Sequence, residues 1–141
     1  MIDLLLRDVV TAVSPTPVCV AVDHGRILAV GPELAYVAER EVAGNGRYLI
    51  PGFVESHLHL DIALSNDVQR PGRPEPYVSM PGLNAAIERR RRAFTHQDIV
   101  ARATAALQLA QRHGVTAVRA QCHLDTEIGL KHIFALQAVK E

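Results

Sequence analysis

Leu49-Ile50-Pro51-Gly52-Phe53-Val54-Glu55-Ser56-His57-Leu58-His59-Leu60-Asp61 reads as a strand that ends by presenting two imidazoles in one direction. Side chains alternate faces along a strand, so His57 and His59 project together while Leu58 and Leu60 project the other way. Both rings can then reach one cation. Neutral imidazole ligates zinc or iron at about 2.0 to 2.2 Å, and a catalytic ion takes at least three protein ligands and an open water position. The pair is therefore part of a centre and not the whole of one. An arbitrary His-x-His is more often structural filling than a ligand pair, so its weight depends on its surroundings.

Upstream, the stretches from Asp3 to Val10 and from Val18 to Val30 favour short strands. The second contains a hairpin: Val20-Ala21-Val22, a turn around Asp23-His24-Gly25, then Arg26 to Val30. An isolated histidine beside glycine needs no ligand role, so His24 is read as a turn residue. Residues 1–48 form a small β-rich domain, and residues 49–141 a second region. Downstream, Arg70-Pro71-Gly72-Arg73-Pro74-Glu75-Pro76-Tyr77 cannot be regular helix or interior strand and must be a loop, either an active-site rim or a surface connector. Arg89-Arg90-Arg91-Arg92 meets the negative end of a helix dipole and faces water, a better account than nucleic-acid binding in a chain with few aromatics.

A helix follows with Thr95 as N-cap, Asp98 at N3, apolar positions Ile99, Val100, Ala103, Ala106, Leu107 and Ala110, and Gly114 as its stop. Val115 to His123 is the next strand. Glu127 to Glu141 begins a further amphipathic helix through Leu130, Ile133 and Phe134. This order of small β domain, strand, helices, strand and helix is the opening of an alternating parallel α/β architecture. Two strands cannot close a barrel, and their uncovered edges predict poor stability or association, homo-oligomers included, unless other segments complete them.

The string Pro51-Gly52-Phe53-Val54-Glu55-Ser56-His57-Leu58-His59-Leu60-Asp61 resembles the first barrel strand of the amidohydrolase superfamily, in its cytosine deaminase-like branch. Similarity continues through Pro81 to Arg89, through Thr95-His96-Gln97-Asp98, and through Gly114 to Arg119. The resemblance implies the first βα units of a (β/α)8 TIM-type barrel, incomplete in this chain, preceded by a small sandwich-like β domain. It implies one divalent metal ion, zinc or iron, with His57 and His59 as the first ligand pair. The remaining ligands and the catalytic acid are expected beyond Glu141. The implied reaction is hydrolysis of carbon-nitrogen bonds other than peptide bonds, foremost deamination of a cyclic amidine such as cytosine. An aminotriazine, an imidazolone or another cyclic amide is the alternative substrate, and a truncated, non-catalytic fragment or interaction module is the non-enzyme reading.

Leu83 aligns with a residue that lines the substrate pocket in that branch, although simple packing explains it equally well. The second strand of the branch runs Arg-Thr-His-Val-Asp, whereas this chain has Arg119-Ala120-Gln121-Cys122-His123-Leu124-Asp125. Gln121 can stand at the family's histidine position, and His123 follows two residues later.

If His57 and His59 point into the barrel, alternation sends Phe53 and Glu55 there too. On the next strand Val118, Ala120, Cys122 and Leu124 then pack against helices, leaving Arg119, Gln121 and His123 inward. An unpaired buried charge costs several kcal/mol, which predicts an Arg119 to Glu55 ion pair. Gln121 and His123 border the metal layer, touching substrate, orienting a ligand or filling the interior. Asp61 either holds a ligand's second nitrogen or caps the following loop.

Length and composition set the outer bounds. The chain has 141 residues, against about 250 for a complete barrel. With 48% apolar residues, 15 basic and 15 acidic side chains, it has the composition of a globular protein, and nothing favours nucleic acid or an anionic membrane. No stretch approaches the roughly 20 apolar residues of a membrane span, and Met1 to Arg7 lacks the pattern of a signal peptide, so a cytoplasmic location is expected; a small heterocyclic substrate is what the resemblance implies. Cys19 and Cys122 give no disulfide framework, and a Cys122–His123 metal pair is disfavoured because neighbours on a strand face opposite ways.

Overall fold

Val22 and Ile27 pair across a two-residue turn in which His24 (φ 48°) and Gly25 (φ 70°) both take the left-handed conformation. That is the requirement of a tight hairpin whose twist matches its strands. The computed structural model that contains this hairpin describes residues 1–65 and 80–140, which divide between two compact units, Met1–Pro51 and Gly52–Glu141. Together they make a mixed α/β chain.

In the first unit, β1 (Ile2–Thr11), β2 (Ser14–Asp23), β3 (Arg26–Gly31) and β4 (Ala38–Tyr48) form one sheet in the order β3-β2-β1-β4. Alternation along β2 divides its buried residues between two clusters, Cys19 and Ala21 packing with Ile2 and Leu5, Val18 and Val20 with Val9. β4 is parallel to β1 and has no clear apolar alternation, so only the ladder of backbone bonds reveals it. The approach is close where β1 is irregular, between Arg7 and Val9. A Cβ on the buried Gly44 would run into Val9 Cγ1 and the carbonyl oxygens of Asp8 and Arg7. Gly44→Ala should therefore destabilise the protein by about 1 to 3 kcal/mol, the usual cost of overpacking. Urea unfolding of the two proteins side by side checks this, and equal midpoints would refute the close approach.

The second unit contains β5 (Phe53–His59), α1 (Met80–Ala93), α2 (His96–Arg112), β6 (Val115–Gln121) and α3 (Lys131–Lys140). β5 and β6 are parallel neighbours, with His59 opposite Gln121. Thr95 Oγ1 accepts the Asp98 N–H at 3.1 Å to open α2, and Gly114 at φ 85° follows its end. Ile99 and Ala103 of α2 are fully buried, Ile99 in a cluster with Phe94 and Ala135. Val118 and Ala120 line an apolar groove with Leu60, Leu107, Leu136 and Val139, so this face of β6 is the one turned to the helices. No helix among the described residues is long and apolar enough to cross a membrane.

Three expectations need correction. The last helix starts at Lys131, four residues later than Glu127. Asp125 Oδ1 accepts the N–H groups of Glu127 and Ile128 at 2.8 and 2.9 Å, and Gly129 turns at φ 58°, so a side-chain-capped turn takes the place of the first helical turn. The buried face of α3 is His132 and Ala135, whereas Leu130 and Phe134 are about half exposed. Within the arginine run, Arg89 and Arg92 are exposed, but Arg91 is buried and ion-paired with Glu88 and, at 3.8 Å, with Asp125. The Arg70 to Tyr77 loop lies outside the described residues. Leu83 falls in α1, but its side chain lies outside them too.

Candidate metal centre

His57 and His59 leave β5 on the same side, and their Nε2 atoms stand 3.2 Å apart. Two nitrogens about 2.1 Å from one tetrahedral ion would lie about 3.4 Å apart, so the pair fits a shared cation. His59 Nδ1 is buried and has no hydrogen-bond partner among the described residues. His123 comes from just beyond β6 and lies against His59, with ring centroids 5.1 Å apart. Of the two β6 candidates, the ring beside the pair is thus His123, while Gln121 is the backbone neighbour of His59.

Asp61 ties these segments together. It is fully buried, and its Oδ2 accepts from the His123 backbone N–H at 3.0 Å, from His123 Nδ1 at 2.9 Å and from His132 Nδ1 at 2.8 Å. Oδ1 is buried without a partner among the described residues. Burial is the largest influence on this carboxyl and favours its neutral form. The bonds from His132 and His123 together outweigh it and hold the group below its usual 3.8. The imidazoles that Asp61 holds are those of His123 and His132, and not those of the paired His57 and His59.

His132 is the residue that sequence reasoning missed. Its ring is fully buried, and Nε2 donates to the Arg91 carbonyl at 3.2 Å while Nδ1 donates to Asp61. Both ring nitrogens are thus engaged, one on the carboxylate and one on the backbone carbonyl, which fixes the ring between Asp61 and α1. Arg102 supports the same corner: it pairs with Asp98 at 2.9 Å, donates to the carbonyls of Asp61 and Ala63, and lies over the Phe94 ring at 4.2 Å.

The expected Arg119 to Glu55 ion pair does not form. Register puts Val118 opposite Glu55, and Arg119 is exposed, so water solvates its charge. The pairing is irregular between Glu55 and Leu58, and Glu55 Oε1 accepts the His57 N–H at 2.9 Å. Phe53, expected inward, is 56% exposed. Cys122 is a free thiol pushed up to about 11, by burial first and then by the Asp61 charge, so it stays protonated near neutral pH and is a poor metal ligand.

His59, Asp61 and His123 also bring one potential ligand atom each within 4.8 Å of one another. Asp61 Oδ2 is already saturated by three N–H donors, which makes this carboxylate an anchor for the rings. A second grouping, Asp3, Asp23 and His24, sits on the first unit, where Asp3 and His24 are exposed and Asp3 accepts the His24 N–H at 2.7 Å.

No family model matches the chain. An adenine deaminase of Deinococcus radiodurans is 47% identical over 45 residues, which are 32% of this chain and 8% of that relative. The solved structure of N-isopropylammelide isopropylaminohydrolase from Burkholderia multivorans superposes on 99% of this chain with a TM-score of 0.76 and 28% identity. An adenosine deaminase from Xanthomonas campestris, solved with bound zinc, covers 94% of it with a TM-score of 0.65 and 26% identity. This chain spans 34% and 31% of those two structures. In sequence and fold, along nearly its whole length, the chain is thus similar to these members of the amidohydrolase superfamily.

Proposed function

We propose that the chain contributes the first metal-binding strand of a (β/α)8 barrel hydrolase, which cleaves a carbon-nitrogen bond in a small cyclic amidine such as cytosine. The observation that carries this reading is the 3.2 Å approach of the His57 and His59 Nε2 atoms at the end of β5. The C-terminal end of a barrel strand is where enzymes of this architecture place their chemistry. Two imidazoles fall short of three protein ligands, and the chain spans about a third of the related structures, so we assign the activity to an assembled barrel.

His57 and His59 would hold one divalent ion, zinc or iron. Such an ion lowers the pKa of a bound water to about 7 and so supplies hydroxide at neutral pH. Among the chain's own residues, Asp61 holds His123 beside the His59 ring, and Gln121 stands next to His59 at the strand end. His123 is the group placed to accept a hydrogen bond from a substrate N–H. Arg102 and His132 hold the backbone and carboxylate behind them.

An aminotriazine is the second substrate reading. It is favoured by the 28% identity, along 99% of this chain, to an enzyme named for N-isopropylammelide. The test is metal analysis and ammonia or amine release on the full-length gene product, with cytosine, adenine and alkylamino-triazines as substrates. One equivalent of zinc or iron and turnover abolished by chelation and restored by metal are the expected results. A well-folded protein with neither metal nor turnover would overturn the proposal and favour an interaction module.

A further inference from the structure

We propose that His132 is a positioning residue that fixes the tautomer of His123, by immobilising the carboxylate to which His123 is bonded. The inference rests on the hydrolase reading only for its use, since the geometry stands without it.

A carboxylate on a strand end has two equivalent oxygens and a free torsion, and could serve His123 with either. Here it is held by one. His132 approaches Oδ2 from α3, and its other nitrogen is fastened to the Arg91 carbonyl in the last turn of α1, so the donor cannot swing away without losing a second buried bond. The backbone N–H of His123 reaches the same oxygen at 3.0 Å, which sets the position of its Cα as well as its ring. Carboxylate oxygens only accept, so His123 Nδ1 must carry the hydrogen at 2.9 Å. In the neutral ring Nε2 then holds the lone pair, on a ring tilted 33° to His59. His123 thereby becomes an acceptor for a substrate N–H, such as that of a cyclic amidine. Without this bond, a neutral imidazole in water would exchange between its two tautomers.

Histidine-labelled protein and long-range proton-nitrogen NMR read the tautomer directly. His123 should appear as the Nδ1–H form in the parent and in His132→Asn, whose amide retains a donor for Asp61. The signal should become an exchange average in His132→Phe. Should that variant fail to fold, His132→Gln serves, because its longer amide keeps the Arg91 bond and loses the one to Asp61. A parent in which His123 carries its hydrogen on Nε2, or a folded His132→Phe or His132→Gln with an unchanged His123 spectrum, would overturn the proposal. A parent without metal or turnover would count against the hydrolase and leave this readout intact, so the two failures are distinguishable.

Discussion

Replacing Asp61 with alanine should lower the unfolding free energy by about 3 to 5 kcal/mol, because three donors lose their shared buried acceptor at about 1 to 3 kcal/mol for each group left unsatisfied. The reason is the number of groups that depend on one oxygen. The buried His132 ring, the His123 backbone N–H and the His123 ring would each lose their acceptor. Urea unfolding at neutral pH measures the loss, and a change under 1 kcal/mol would mean that water replaces the carboxylate. Acid provides a second, independent check. Because the folded carboxyl sits below 3.8, its ordinary value, Asp61 stabilises the protein fully above about pH 4, and the contribution disappears as pH falls through the folded pKa. The stability gap between parent and Asp61→Ala should thus be widest above pH 5 and shrink below pH 4. A gap that grew on acidification would contradict the assigned direction.

The second large effect is expected at the imidazole pair. His57→Ala and His59→Ala should each weaken zinc binding by more than 100-fold, since loss of a mere supporting partner of a metal ligand already costs about 10- to 100-fold. Competition against a chromophoric chelator gives the affinity, and circular dichroism shows whether the fold persists. His57 is exposed and His59 only half-buried, so neither substitution should cost as much stability as Asp61→Ala. If both variants bound zinc as the parent does, the convergence of the two Nε2 atoms would have no functional meaning.

These residues differ in how far they could be read from sequence. β5, the hairpin and the Thr95 cap depend on neighbours a few positions apart, and alternation, a turn dipeptide or a cap signature is enough to find them. His57 and His59 belong to this class. His132 does not, because its partners are 41 and 71 residues away and a polar residue on a helix usually faces water. Arg91 looked like one of four equivalent charges. Only the packing of α1 beside the Asp125 turn singles it out, through Asp125 and through the Lys131 and His132 bonds to its carbonyl. The Arg119 expectation failed for a related reason: alternation assumes a regular strand, and β5 is irregular between Glu55 and Leu58. β4 escaped because its stability lies in backbone pairing with β1 and not in an apolar pattern.

The 71-residue separation of Asp61 and His132 also orders events at the ribosome. At roughly 5 to 20 residues per second, the nascent chain carries its two adjacent imidazoles for about 4 to 14 s before the ring that anchors Asp61 has been translated. Whatever cation meets the chain in that interval finds a chelating pair whose surroundings have yet to be made.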